Sequence, residues 1–131
     1  MDYKKIDYEK IYEGIIKIDP KIRLVTICDS SGRVMYSQHR EGIKNLLTPE
    51  ESKESLELAV NSWKIRTKLA PKIGKGKYVL AEYEKIKRIT MPLGGDDDDD
   101  HHLLYITTEV QADHSNIIRR IGEITIRKLL L

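Results

Sequence analysis

An α+β domain, with a five-stranded antiparallel sheet flanked by three helices in the order α-β-β-α-β-β-β-α, is what this 131-residue chain predicts. Three observations lead there: an isoleucine-spaced helix at the start, two strands hinged at Asp29-Ser30-Ser31-Gly32, and a long capped helix followed by three strands and a last helix. The length suits one compact domain with a single core, so residues 1–131 are expected to form one unit.

Ile11, Ile15 and Ile18 recur at helical spacing over about Tyr3 to Ile18, and Asp19-Pro20 should end that helix because the residue before proline is pushed out of the helical region. Ile22 to Cys28 is short and rich in branched apolar residues, and Arg33 to Gln38 repeats that character after a turn containing Gly32, which predicts a β-hairpin. The sharpest local signal is Thr48-Pro49-Glu50-Glu51: Thr48 can cap, Pro49 suits the first helical position and Glu51 can reach back to close a capping box. Leu56, Val60 and Trp63 then place an apolar stripe on a helix expected to run to about Ala70, before Pro71. Gly74 and Gly76 break the pattern, and Tyr78 to Tyr83 and Ile86 to Leu93 predict a second hairpin turning near Glu84.

Residues 94–101 read as an exposed acidic loop, since Asp96, Asp97, Asp98, Asp99 and Asp100 repel one another and no core could hold them. Strand character resumes from His102 to Val110, with Leu104, Ile106, Thr108 and Val110 on one face and Leu103, Tyr105, Thr107 and Glu109 on the other. Asp113 or Ser115 can cap a final helix carrying Ile117, Ile118, Ile121, Ile124 and Leu129.

Hydrophobic residues at 40% and charged residues at 34% describe a globular chain instead of a disordered one. No apolar run approaches the roughly 20 residues needed to span a bilayer. The N-terminus has no apolar signal segment and the single Cys28 has no pairing partner, so a reducing, cytoplasmic setting is expected. The net charge of +2 hides a division: outside the five-aspartate run, 23 basic residues face 16 acidic ones, a balance of +7. Lys64, Arg66, Lys68, Lys72, Lys75 and Lys77 form one basic stretch, and Lys85, Lys87 and Arg88 another. Such density attracts phosphate or an acidic surface, although a solvated face explains it as well. Nucleic acid is disfavoured because no basic strand face is interleaved with aromatic residues.

The catalytic readings fail one by one, and no cofactor is expected. Cys28 ends an apolar strand, where a free cysteine behaves as a small hydrophobe. Lys75-Gly76-Lys77 lacks the glycine-lysine-serine/threonine ending of a phosphate loop and precedes a strand. Asp96 to Asp100 with His101 and His102 has metal-ligating chemistry but no alternation with glycine or asparagine to make its oxygens converge, so no metal site is assigned; the run is read as an electrostatic loop that folds over basic surface.

The element order, with Leu24-Val25-Thr26-Ile27-Cys28-Asp29-Ser30-Ser31-Gly32-Arg33-Val34 and Met91-Pro92-Leu93-Gly94, resembles the roadblock and dynein light chain family, which has a profilin-like fold. The stretches Asp19-Pro20-Lys21-Ile22-Arg23, Arg40-Glu41-Gly42, Tyr83 to Thr90 and Thr108 to His114 are similar to a family of short proteins from ammonia-oxidising archaea that carries no assigned activity. The roadblock resemblance implies a non-enzymatic dimeric platform that engages small GTPases or their regulators, paired through the middle helix and the strand beside it, here Pro49 to Ala70 and roughly Lys77 to Tyr83. Its interface candidates are Leu56, Val60, Trp63, Tyr78 and Leu80, with Trp63 equally suited to the chain's own core. An open strand edge gives an independent reason to expect a symmetric partner. The alternative is a small-molecule-sensing domain, because profilin-like and PAS-like sheets can enclose a ligand between sheet and helix.

Overall fold

The computed structural model describes residues 6–93 and 102–129 and shows the expected order of three helices and five strands. Helix α1 (Tyr8–Ile16) starts at Asp7, whose carboxylate accepts the Lys10 N–H at 3.1 Å. It stops two residues short of Ile18 and four before Pro20. At its end the Arg40 guanidinium donates to the Ile16 and Asp19 carbonyls at 2.7 and 2.8 Å, and its Nε–H to the Ile22 carbonyl at 2.7 Å. One cation thus satisfies a helix C-terminus and the start of the first strand, where the helix dipole favours positive charge.

Strand β1 (Ile22–Asp29) and strand β2 (Val34–His39) form the first hairpin. Its turn is held by Asp29, whose Oδ1 accepts from the Ser31 hydroxyl at 2.7 Å and from the Ser31 and Arg33 N–H groups at 2.9 and 3.0 Å. Foremost the Ser31 hydroxyl, then these backbone donors and the Arg33 charge, hold the Asp29 carboxyl below its ordinary pKa. Gly32 has φ +94°, the left-handed region where a side chain is strained.

Helix α2 (Pro49–Ile73) opens with the predicted capping box: the Glu51 N–H donates to Thr48 Oγ1 at 3.1 Å, and the Thr48 N–H to Glu51 Oε1 at 2.9 Å, a motif whose cap contributes about 1 kcal/mol. It does not end at Ala70. Pro71 lies inside the last turn, where its missing N–H deprives only the exposed Thr67 carbonyl, and the helix closes when the Gly74 N–H reaches the Ala70 carbonyl at 2.8 Å.

Strand β3 (Val79–Glu82) is shorter than the expected Tyr78 to Tyr83, whereas strand β4 (Ile86–Leu93) matches its expected bounds. Strand β5 (His102–Glu109) ends one residue early, and helix α3 (His114–Leu129) is capped by Asp113, which accepts the Asn116 N–H at 3.2 Å. The sheet is antiparallel in the order β2-β1-β5-β4-β3, so the last strand in sequence lies at its centre. Pro92 is tolerated because β3 pairs with β4 only as far as Thr90, leaving the outer side of Pro92 without a strand to bond.

Both faces of the sheet are covered, which makes three layers. Val25, Ile106 and Ile89 sit side by side in register and pack with Ile27, Leu104 and Met91 against Ile11, Ile15, Ile117 and Ile121 of α1 and α3. On the opposite face Cys28, Leu103 and Tyr105 pack against Leu56, Val60 and Trp63 of α2. The predicted alternation of β5 therefore holds, and almost all of that strand is buried.

Candidate functional site

Helix α2 carries two apolar stripes. Leu56, Val60 and Trp63 turn to the sheet and are buried within the chain's own fold, so these three interface candidates lie in a core position, one that composition left equally open for Trp63. Trp63 is fixed there: its Nε1–H donates to Thr90 Oγ1 at 2.8 Å, the Arg66 guanidinium lies 5.3 Å from its ring centre, and a Cβ built on Gly76 would come within 2.7 Å of its Cζ3. Gly76 is thus a packing glycine that lets the chain pass over the indole.

The second stripe is Leu58, Ile65, Leu69 and Ile73, with exposures of 68, 59, 46 and 78%. Their spacing gathers them on one side of the helix, nearly half a turn from the buried stripe. Sequence reasoning missed them because Leu56-Val60-Trp63 satisfied the helical period by itself. The available signal was a second period on the same helix.

Strand β3 is an edge strand, as is β2, and among the described residues neither has an outer partner. Tyr78, just before β3, is half-exposed, as is Tyr83 just after it. Leu80 is partly buried and packs on the α1–α3 side, so of the two strand-associated candidates only Tyr78 faces solvent substantially. Tyr83 is held by Arg88, whose guanidinium lies 5.2 Å from its ring and donates to its hydroxyl at 3.2 Å.

Asp96, Asp97, Asp98, Asp99 and Asp100, with His101, lie outside the described residues. His102 begins β5 and is buried, with its Nε2 3.0 Å from the Tyr8 hydroxyl. Among the described residues no three His, Cys, Asp or Glu side chains gather as a metal site, and no helix is long and apolar enough to cross a membrane.

Cys28 is fully buried. Burial foremost, then the nearby Asp29 charge, pushes its thiol from 9.0 up to about 11 against the opposing hydrogen bond with the Leu103 backbone. A thiol that stays protonated is a poor nucleophile. Native protein is therefore expected to resist a thiol reagent at pH 8 and to react fully once denatured; rapid labelling of folded protein would contradict this burial. Below pH 9 both folded and unfolded thiols are protonated, whereas above it the unfolded chain ionises first, so the contribution of Cys28 to stability falls as pH rises from about 9 to about 11.

No family model matches the chain, and no curated protein matches it. Solved structures do. The gliding protein MglB from Thermus thermophilus superposes with a TM-score of 0.70 at 15% identity, covering 92% of this chain and 84% of that one. Myxococcus xanthus MglB gives 0.67 at 16% identity, covering 94% of each chain. A roadblock/LC7 domain from Streptomyces avermitilis gives 0.65 at 12%, covering 95% of this chain and 92% of that one. Near-complete coverage by three such structures, together with the shared order of helices and strands, establishes that this chain has the roadblock/LC7 fold.

Proposed function

We propose that this protein is a non-enzymatic, homodimeric interaction platform of roadblock type that binds a small GTPase or a GTPase regulator. The observation that carries the reading is the outward stripe Leu58, Ile65, Leu69 and Ile73 on a helix already anchored by another stripe, together with the outer edge of β3, which has no partner among the described residues. Clustered apolar side chains on one helix face mark an interaction site, and an edge strand offers N–H and C=O groups to a second copy. A two-fold arrangement satisfies both because each surface can meet its own equivalent. One solved structure with this fold is described as MglB with a tetrameric arrangement; it matches with a TM-score of 0.69 at 16% identity over 94% of this chain and 90% of that one, and supports a self-associating reading.

Light scattering at micromolar concentration is expected to return twice the chain mass of 15.2 kDa, and a monomer would overturn the dimer. For the partner, small GTPases from the same cell are loaded with GDP or a non-hydrolysable GTP analogue and passed over immobilised protein. Retention that depends on the nucleotide is expected, and equal passage of every loaded GTPase argues against this role.

A further inference from the structure

A cavity of about 560 Å³ opens on the α2 side of the sheet, between the first half of that helix, residues 44–47 of the β2–α2 connection and the strands beneath. This is within the roughly 300–1,000 Å³ range of small-molecule sites. Its floor follows from strand register. Thr26 lies opposite both Ser37 and Tyr105, and Thr107 opposite both Leu24 and Arg88, so neighbouring strands present hydroxyls with a guanidinium at the side. Leu46, Leu47, Leu56 and Val60 supply an apolar wall.

The charge of the lining is one-sided. Arg23, Lys44, Lys53 and Arg88 border the space, against Glu57 as the sole acidic lining residue among the described residues. Arg23 is already neutralised by Glu109 at 2.6 Å, so the remaining excess is carried by Arg88 and the two exposed lysines. Arg88 is held between two tyrosines, 5.2 Å from the Tyr83 ring and 5.1 Å from the Tyr105 ring. Its Nη1 donates to Tyr83, but its Nε is buried with no hydrogen-bond partner among the described residues. A buried donor left unsatisfied keeps the cost of its lost hydration, and an anionic acceptor relieves that cost through a charge-assisted bond.

We propose that this cavity binds a small organic anion, with its carboxylate or phosphate group accepting from Arg88 and drawn in by Lys44 and Lys53, and its partly apolar body lying against Leu46, Leu47 and Leu56. Arg88 is suited to the task because its fork is pre-oriented by two rings, so little side-chain entropy is lost when the anion docks. The hydroxyls of Thr26, Ser37 and Thr107 on the floor select ligands that also carry polar substituents. This site is separate from the outward α2 stripe, and ligand binding stands or falls independently of self-association.

The test uses the full chain and phenyl phosphate as probe, followed by backbone amide and arginine Nε–H signals in NMR. Saturable shifts are expected at Arg88 Nε–H and at the amides of Thr26, Ser37 and Thr107, while benzyl alcohol at equal concentration leaves Arg88 unmoved. Arg88→Gln is expected to weaken binding about tenfold or more. The exposed pair Lys44→Gln/Lys53→Gln, which leaves the packed interior untouched, is expected to weaken it about threefold or more, and carries the test if Arg88→Gln does not fold. No saturation by about 10 mM, a limit that corresponds to negligible affinity, overturns the proposal. So do equal shifts with benzyl alcohol, shifts scattered over the basic surface, or unchanged affinity in the lysine pair.

Discussion

Ile65→Glu is expected to turn the proposed dimer into a monomer without unfolding the chain. Ile65 lies in the middle of the outward stripe of α2 and is 59% exposed in the single chain, so the fold itself loses little: substitutions at such surface positions usually stay within about 0.5 kcal/mol. In a two-fold contact each glutamate would lose water without a cation placed to receive it, and the symmetric copy would add a second carboxylate nearby. At a hot spot in the centre of an interface the loss is at least about 2 kcal/mol, and an effect of that size at Ile65 weakens association about thirtyfold or more. Sedimentation velocity over a concentration series should show the sedimentation coefficient of a single chain at concentrations where the proposal expects the parent protein to be dimeric. The thermal midpoint should change little beyond what dimer dissociation itself removes. Lys64→Glu, placed away from the stripe on the same helix, is the control and should leave association intact. A dimeric Ile65→Glu protein would locate the contact elsewhere, most simply at the other edge strand, β2.

The largest stability effect is expected from Trp63→Ala, a loss of about 3–5 kcal/mol, in the range for truncating a buried large aromatic. Three costs combine. The indole fills the space between α2 and the sheet, where it packs so tightly on Gly76 that this position has no room for a side chain, and its removal leaves a void that the helix can close only in part. Thr90 loses the donor at 2.8 Å that satisfies its buried hydroxyl, and Arg66 loses the ring beneath it. Urea unfolding followed by far-ultraviolet circular dichroism measures the change. Trp63→Phe separates the contributions, since it keeps an aromatic ring and loses the hydrogen bond; it should cost less than half as much. A Trp63→Ala protein as stable as the parent would mean that the indole does not hold α2 to the sheet.

The hairpins, the capping box and the two faces of β5 were legible because each is written within a few neighbouring residues: Asp29 with Gly32, Thr48 with Glu51, and the alternation from Leu103 to Thr108. The roles of the two stripes on α2 were not. Leu56-Val60-Trp63 and Leu58-Ile65-Leu69-Ile73 both fit a helical period, and which one turns inward depends on where Cys28, Leu103 and Tyr105 present their surface, a tertiary choice. Pro71 misled for a related reason. The rule against proline assumes a carbonyl with nowhere else to turn, and in the last exposed turn water can serve it. The cavity under α2 was the least accessible feature, because Leu46, Thr26, Arg88 and Thr107 meet only when three separate strand pairings and one connection are all in place.

The central position of β5 has a consequence for how the protein is made. Among the described residues the β1–β2 and β3–β4 hairpins do not bond to each other; within the sheet each is joined only to the strand that follows both in the chain. During synthesis the two ribbons emerge with their inner edges bare, and Val25, Ile27, Ile89 and Met91 wait for a common partner. The sheet can be completed only once residues 102–109 lie between them, so a nascent chain that still lacks that strand has two uncovered borders to offer any neighbour on the same polysome.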